Sequence, residues 1–278
     1  MSKIIAVCNQ KGGVGKTTTA VNLAACLAAA EKKTLLIDLD PQANATTGIG
    51  IDKTKITQSI YHVVLGNLPI QDIIYDTVMP FLSAVPSHYT LAAAELELVG
   101  AVSRETRLRT SLQPIENNYD FIVIDCPPSL GLLTINAMAA AHGVLIPLQC
   151  EYYAMEGLVD LRRTIHLVQN KLNPDLTIEG IVLTMFDARN NLSRQVVQEI
   201  RKHFENSVYN VVIPRNVRLS EAPSHGKPIL LYDVNSKGAE SYFELAKEVL
   251  ARNEKELSDI KTEKGAAHDD TQSIGPGT

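Results

Sequence analysis

Gln10-Lys11-Gly12-Gly13-Val14-Gly15-Lys16-Thr17-Thr18-Thr19 stands between an apolar run, Ile4-Ile5-Ala6-Val7, and a strong helical pattern, Ala20-Val21-Asn22-Leu23-Ala24-Ala25-Cys26-Leu27. Strand, glycine-rich loop and helix follow in the order that a phosphate-binding loop requires. Glycines at 12, 13 and 15 let backbone N–H groups converge on phosphate oxygens with no Cβ in the way, and the helix N-terminus adds partial positive charge. Lys16 is expected to reach the β- and γ-phosphates and the Thr17 hydroxyl to ligate Mg2+, with Val14 and Thr18 completing the cradle. The loop departs from the general G-x-x-x-x-G-K-[ST] pattern: Gln10 stands where the first glycine belongs, and Lys11 follows it. A second lysine so close adds cationic density where negative charge grows during phosphoryl transfer.

Acidic residues follow at strand ends. Leu36-Ile37-Asp38-Leu39-Asp40-Pro41-Gln42-Ala43-Asn44 closes one apolar run, and Phe121-Ile122-Val123-Ile124-Asp125-Cys126-Pro127-Pro128 closes another. In an open α/β sheet the C-terminal ends of strands face the ligand crevice, so Asp40 is expected near the phosphates. Asp125, an acid after four apolar residues, reads as the Walker-B carboxylate that holds Mg2+ through water. Asp38 also has a plainer reading, as a strand-end acid bonded to backbone. Pro127-Pro128 stiffens the loop that follows Asp125.

The apolar runs Ile4-Ile5-Ala6-Val7, Thr34-Leu35-Leu36-Ile37, Phe121-Ile122-Val123-Ile124, Val144-Leu145-Ile146, Ile181-Val182-Leu183 and Val211-Val212-Ile213 alternate with amphipathic stretches. Consecutive apolar residues suit strands covered on both faces, so the expected fold is α/β: a single doubly wound, mostly parallel sheet flanked by helices. A chain of 278 residues with 45% hydrophobic content can bury such a core. Residues 1–252 are expected to form one domain, with 48–110 an insertion in it that contains a helix near 91–99, and 253–278 a disordered tail. No apolar run is long enough to span a bilayer and no signal-peptide pattern opens the chain, which leads to the expectation of a cytoplasmic protein with no membrane role. Cys8, Cys26, Cys126 and Cys150 lack metal-ligand spacing and read as small core residues. The net charge of −5 argues against bulk attraction to nucleic acid, yet residues 185–230 carry seven Lys/Arg against four acids. Arginines gathered on one surface suit phosphate contacts that do not read sequence.

The run K-G-G-x-G-K-T-T resembles the deviant Walker-A class of P-loop ATPases, and the resemblance to the ParA/Soj partition family extends from Lys3 to about Arg252. It is carried by Asp40-Pro41-Gln42-Ala43-Asn44, by Ile124-Asp125-Cys126-Pro127-Pro128-Ser129-Leu130-Gly131, by Gln149-Cys150-Glu151-Tyr152-Tyr153-Ala154, by Leu183-Thr184-Met185-Phe186-Asp187-Ala188-Arg189-Asn190 and by Ile213-Pro214-Arg215-Asn216-Val217-Arg218. The resemblance implies that ATP and Mg2+ are the cofactors and that Lys11 reaches across a homodimer into the partner's nucleotide. It implies that Asp40 helps to position the attacking water or the γ-phosphate switch, and that Pro214 and Asn216 contact adenine. It further implies nonspecific binding of double-stranded DNA by the ATP dimer through Arg189 and Arg218, nucleoid association in that state, and slow hydrolysis stimulated by a ParB-type centromere-binding protein. The competing readings are a MinD-like division-site ATPase, which needs a basic amphipathic C-terminal helix that 254–261 does not supply, a cluster-carrying relative, and a carboxylating synthetase.

Overall fold

The computed structural model describes residues 2–151, 154–204 and 207–272. Tyr152, Tyr153 and residues 273–278 lie outside the described residues.

In chain order the elements are β1 (Lys3–Val7), α1 (Lys16–Ala29), β2 (Thr34–Asp38), α2 (Asn44–Gly48), α3 (Ile60–Val64), β3 (Tyr75–Asp76), β4 (Leu82–Val85), α4 (Leu91–Glu97), α5 (Arg107–Leu112), β5 (Phe121–Asp125) and α6 (Leu132–Ala140). They continue with β6 (Gly143–Gln149), α7 (Ala154–Lys171), β7 (Thr177–Phe186), α8 (Asn191–Phe204), β8 (Val208–Pro214), α9 (Val217–Glu221), α10 (Ile229–Tyr232) and α11 (Lys237–Gln272). The strands form one sheet in the order β3-β4-β2-β5-β1-β6-β7-β8, parallel except for β3. β1, β2 and β5 are buried at every residue, as their unbroken apolar runs require of strands packed on both faces.

Parallel pairing gathers the C-terminal ends of the strands at one end of the sheet, and the register makes three of them level. Val7 and Asp38 both lie opposite Asp125. The strand order turns about β1, so the loop after β1 opens at a topological switch point. One face of the sheet packs Leu23 and Leu27 of α1 with Tyr242 and Leu245 of α11, and the other packs Ile37 and Ile124 with Leu158 and Leu161 of α7.

Residues 48–110 do more than decorate this frame. β4 pairs in parallel with β2, Thr34 opposite Leu82, and β3 caps that edge, so the insertion supplies two strands that the apolar-run reading left out. The reason is local: Ser83 interrupts the run Phe81-Leu82-Ser83-Ala84-Val85, and a short strand without continuous apolar residues gives a weak signal. The helix expected near 91–99 is α4, continued by a 3-10 turn at Leu98–Gly100.

The last element begins before the expected tail. α11 continues past Arg252 to Gln272, across Glu254-Lys255-Glu256-Leu257, residues of high intrinsic helix propensity. Its middle is anchored to the sheet. The Arg252 guanidinium lies 3.9 Å from the Tyr209 ring centroid and donates to the Glu179 carbonyl at 3.0 Å, and Lys3 pairs with Glu179 at 3.2 Å and with Glu256.

Candidate nucleotide-binding site

The loop after β1 is shaped by glycine where it must be. Gly13 and Gly15 take φ of +74° and +90°, a region that side chains disfavour, and a Cβ on Gly12 or Gly13 would meet nothing within 4 Å. The loop mouth is therefore an open cradle. Gly12, Gly13, Gly15, Lys16, Thr17 and Thr18 line a cavity of about 300 Å3 together with Asp40, Gln42 and Met185. Lys16 is 7% exposed, and its ammonium donates to the Lys11 carbonyl at 3.0 Å. Burial holds its pKa below the ordinary lysine value, against the attraction of Asp125 and Asp40.

Asp125 is wholly buried at the end of β5, and its carboxylate oxygens make no well-formed hydrogen bond, the Thr17 hydroxyl lying close enough only to oppose the effect of burial. Burial first, and then neighbouring Asp38, push its pKa well above the carboxylate range; the nearby Thr17 hydroxyl and Lys16 ammonium oppose that shift. A buried carboxylate without a partner is costly, and one that faces a lysine and a threonine at the mouth of a glycine loop is a fitting seat for a cation. The residues present thus suit a nucleotide phosphate with Mg2+: Thr17 and Asp125 would hold the metal, and the loop and Lys16 the phosphates.

Asp38 takes the plainer of its two readings. Its Oδ2 accepts from the Thr46 amide and hydroxyl, both at 2.7 Å, and its Oδ1 from the Asp40 amide at 3.1 Å, so it binds the start of α2 to the end of β2. Asp40 is buried at the cavity wall, where its Oδ1 accepts from the Gln42 amide at 2.9 Å.

Lys11 points elsewhere: its ammonium pairs with Glu151 at 3.0 Å, and that carboxylate also accepts from Gln149 at 2.6 Å. Sequence reasoning did not single out Glu151 as Lys11's partner. All four cysteines are buried, as their reading as small core residues expects, and β1 and β5 bring the Cys8 and Cys126 sulfurs to 3.2 Å beside the loop.

A second cavity of about 290 Å3 adjoins the first through Gly15, Thr18 and Met185. Pro214 and Asn216 line it with Thr184, Pro223 and Tyr242. Asn216 caps α9, its Oδ1 accepting from the Leu219 amide at 3.3 Å. Met185, in the left-handed region at φ +52°, lines both cavities; no sequence rule points to a methionine there. Arg189 and Arg218 follow the ends of neighbouring strands β7 and β8. Each already has carboxylate partners: Arg189 forms two bonds to Asp187, at 3.0 and 2.9 Å, and Arg218 meets Glu221 at 2.9 Å and Asp233 at 3.3 Å.

A parallel sheet with a glycine loop at its switch point, a buried lysine and a strand-end carboxylate defines a P-loop ATPase. The AAA domain family matches residues 2–178. Over 251 residues the chain is 59% identical to the sporulation initiation inhibitor protein Soj of Bacillus subtilis (strain 168), covering 90% of this chain and 99% of that protein. It is 58% identical over 253 residues to the chromosome partitioning protein ParA of Myxococcus xanthus (strain DK1622), covering 91% and 89%. Among solved structures, cobyrinic acid a,c-diamide synthase from Mycobacterium smegmatis with bound ADP and magnesium is similar at a TM-score of 0.79 and 37% identity, covering 90% of this chain and 94% of that one. The chain belongs to the ParA/Soj family of chromosome-partitioning ATPases. The MinD-like alternative is less supported, and among the described residues no helix is long and apolar enough to cross a membrane.

Proposed function

We propose that the chain binds ATP with Mg2+, dimerises in that state, holds double-stranded DNA without reading its sequence, and is released when hydrolysis, slow on its own, is stimulated by a ParB-type partner. In this reading the protein is cytoplasmic and nucleoid-associated while ATP is bound. The observation that carries it is the unpartnered buried carboxylate of Asp125 facing Lys16 and Thr17 at an open glycine loop. A solved relative with ADP and magnesium supports the nucleotide and the metal, and relatives named for chromosome partitioning support DNA as the cargo.

The chain's own groups divide the work. Backbone N–H groups of Gly13, Gly15 and Lys16 orient the triphosphate, and the Lys16 ammonium exchanges its bond to the Lys11 carbonyl for phosphate oxygens. When bound, Mg2+ supplies charge neutralisation at the β- and γ-phosphates. Asp40 sits at the cavity wall, in place to orient water, and Lys11 leaves Glu151 for a neighbour's nucleotide. Pro214 and Asn216 receive the base, and Arg189 and Arg218 contact DNA phosphates. The test is light scattering after size exclusion in ADP and in a nonhydrolysable ATP analogue, each with and without duplex DNA. A dimer that forms only with the analogue and co-elutes with DNA is expected; a monomer under all four conditions would refute the reading.

A further inference from the structure

The apex of the phosphate loop has an anchor that its own loop does not supply. Val14 lies between Gly13 and Gly15, both at positive φ, and the Val14–Gly15 peptide is set by the ψ of a buried valine and the φ of a glycine that has no Cβ to restrain it. Its carbonyl is taken by Thr184 at the C-terminal end of β7: the hydroxyl donates to the Val14 oxygen at 2.8 Å, with Thr184 2% exposed and Val14 1% exposed. A trans peptide is planar, and its C=O and N–H point in opposite directions. A carbonyl drawn towards β7 therefore aims the Gly15 N–H away from the Thr184 hydroxyl, and Gly15 lines the loop cavity.

The anchor is itself rigid. Thr184 pairs with Gln149 in the β6–β7 register, and its carbonyl accepts from the Cys150 amide at 3.3 Å. Its methyl carbon lies 3.9 Å from where a Gly15 Cβ would stand. The donor thus comes from a strand two places away from β1, and Thr184 also lines the second cavity beside Gly15 and Met185.

We propose that Thr184 is a positioning residue for the nucleotide phosphates, which holds the Val14–Gly15 peptide in the orientation that presents the Gly15 N–H to a phosphate oxygen. This rests on the nucleotide reading above and adds to it a residue outside the loop. Thr184→Val keeps the shape and removes the donor, whereas Thr184→Ser keeps the donor and removes a methyl. Equilibrium titration with Mg-ATP and steady-state hydrolysis separate the two. Thr184→Val is expected to raise the Kd and KM for ATP about tenfold with kcat at saturation changed less than about twofold, and Thr184→Ser to stay within about twofold of the unsubstituted protein, since a lost hydrogen bond is worth about a factor of ten. Lys16→Ala in the same titration reports on the nucleotide site itself. If Lys16→Ala loses binding while Thr184→Val binds as the unsubstituted protein does, or while Thr184→Ser is as weak as Thr184→Val, the positioning role is overturned and the nucleotide reading stands. Unchanged binding in Lys16→Ala would instead overturn the reading on which it rests.

Discussion

Asp125 shows what burying a strand-end carboxylate costs a folded chain. Burial raises its pKa well above the value it has in an unfolded chain, so the fold favours its protonated form. The sign follows from that. Its unfavourable contribution is absent below the unfolded-state pKa and grows as pH rises through the folded one. Asp125→Asn should therefore stabilise the nucleotide-free protein by about 1–3 kcal/mol near pH 8 while abolishing hydrolysis, with the gain shrinking towards about pH 5. Thermal melts across that range, with phosphate release at the upper end, check both halves. Asp38 shifts the same way, pushed up to about 6 by burial although three hydrogen bonds from Thr46 and Asp40 oppose the shift. Lys16→Ala should lose at least about a hundredfold in Mg-ATP affinity, since the lysine is the buried cation at the loop, and isothermal titration measures that.

At the scale of elements, β7 and β8 carry beyond their ends arginines already paired with carboxylates, which in the proposed reading weakens their hold on DNA. Asp187 holds Arg189 in a two-pronged ion pair, and its own pKa is lowered to about 2 by that guanidinium. Asp187→Asn should therefore free positive charge and strengthen DNA retention several-fold at low salt, with Arg189→Glu acting in the opposite direction. Filter binding over a salt series tests this, and equal retention for both variants would remove the β7–α8 connection from the DNA surface. The seam between β7, β8 and α11 makes a separate stability prediction. A Cβ on Gly180 would stand 2.4 Å from a ring carbon of buried Tyr209 and 2.8 Å from the Arg252 guanidinium. Gly180→Ala should cost about 1–3 kcal/mol in denaturant unfolding because that packed corner has little room to yield.

For the whole molecule, the proposed assembly turns on Lys11, which the fold ties to Glu151 of its own chain. If ATP draws it to a second subunit, Lys11→Ala should bind ATP within a few-fold of normal yet stay monomeric in the nonhydrolysable analogue, as light scattering would report. A variant that still dimerises would leave Lys11 outside the switch.

Six of the strands, their parallel pairing and the loop chemistry were readable from the chain because each depends on local order: consecutive apolar residues, then glycine, then lysine and threonine at fixed spacing. The same locality let Asp125 be placed at the end of the sheet where the loop after β1 opens. Contacts between residues distant in sequence were not readable. Thr184 reaching Val14, Glu151 holding Lys11, Cys8 meeting Cys126 and β4 joining β2 arise only when strands settle side by side, and no spacing along the chain encodes those neighbours. The sequence by itself determined which groups can hold a nucleotide; the tertiary structure decided which of them are buried, paired or left without a partner, because burial and pairing are properties of the packed sheet.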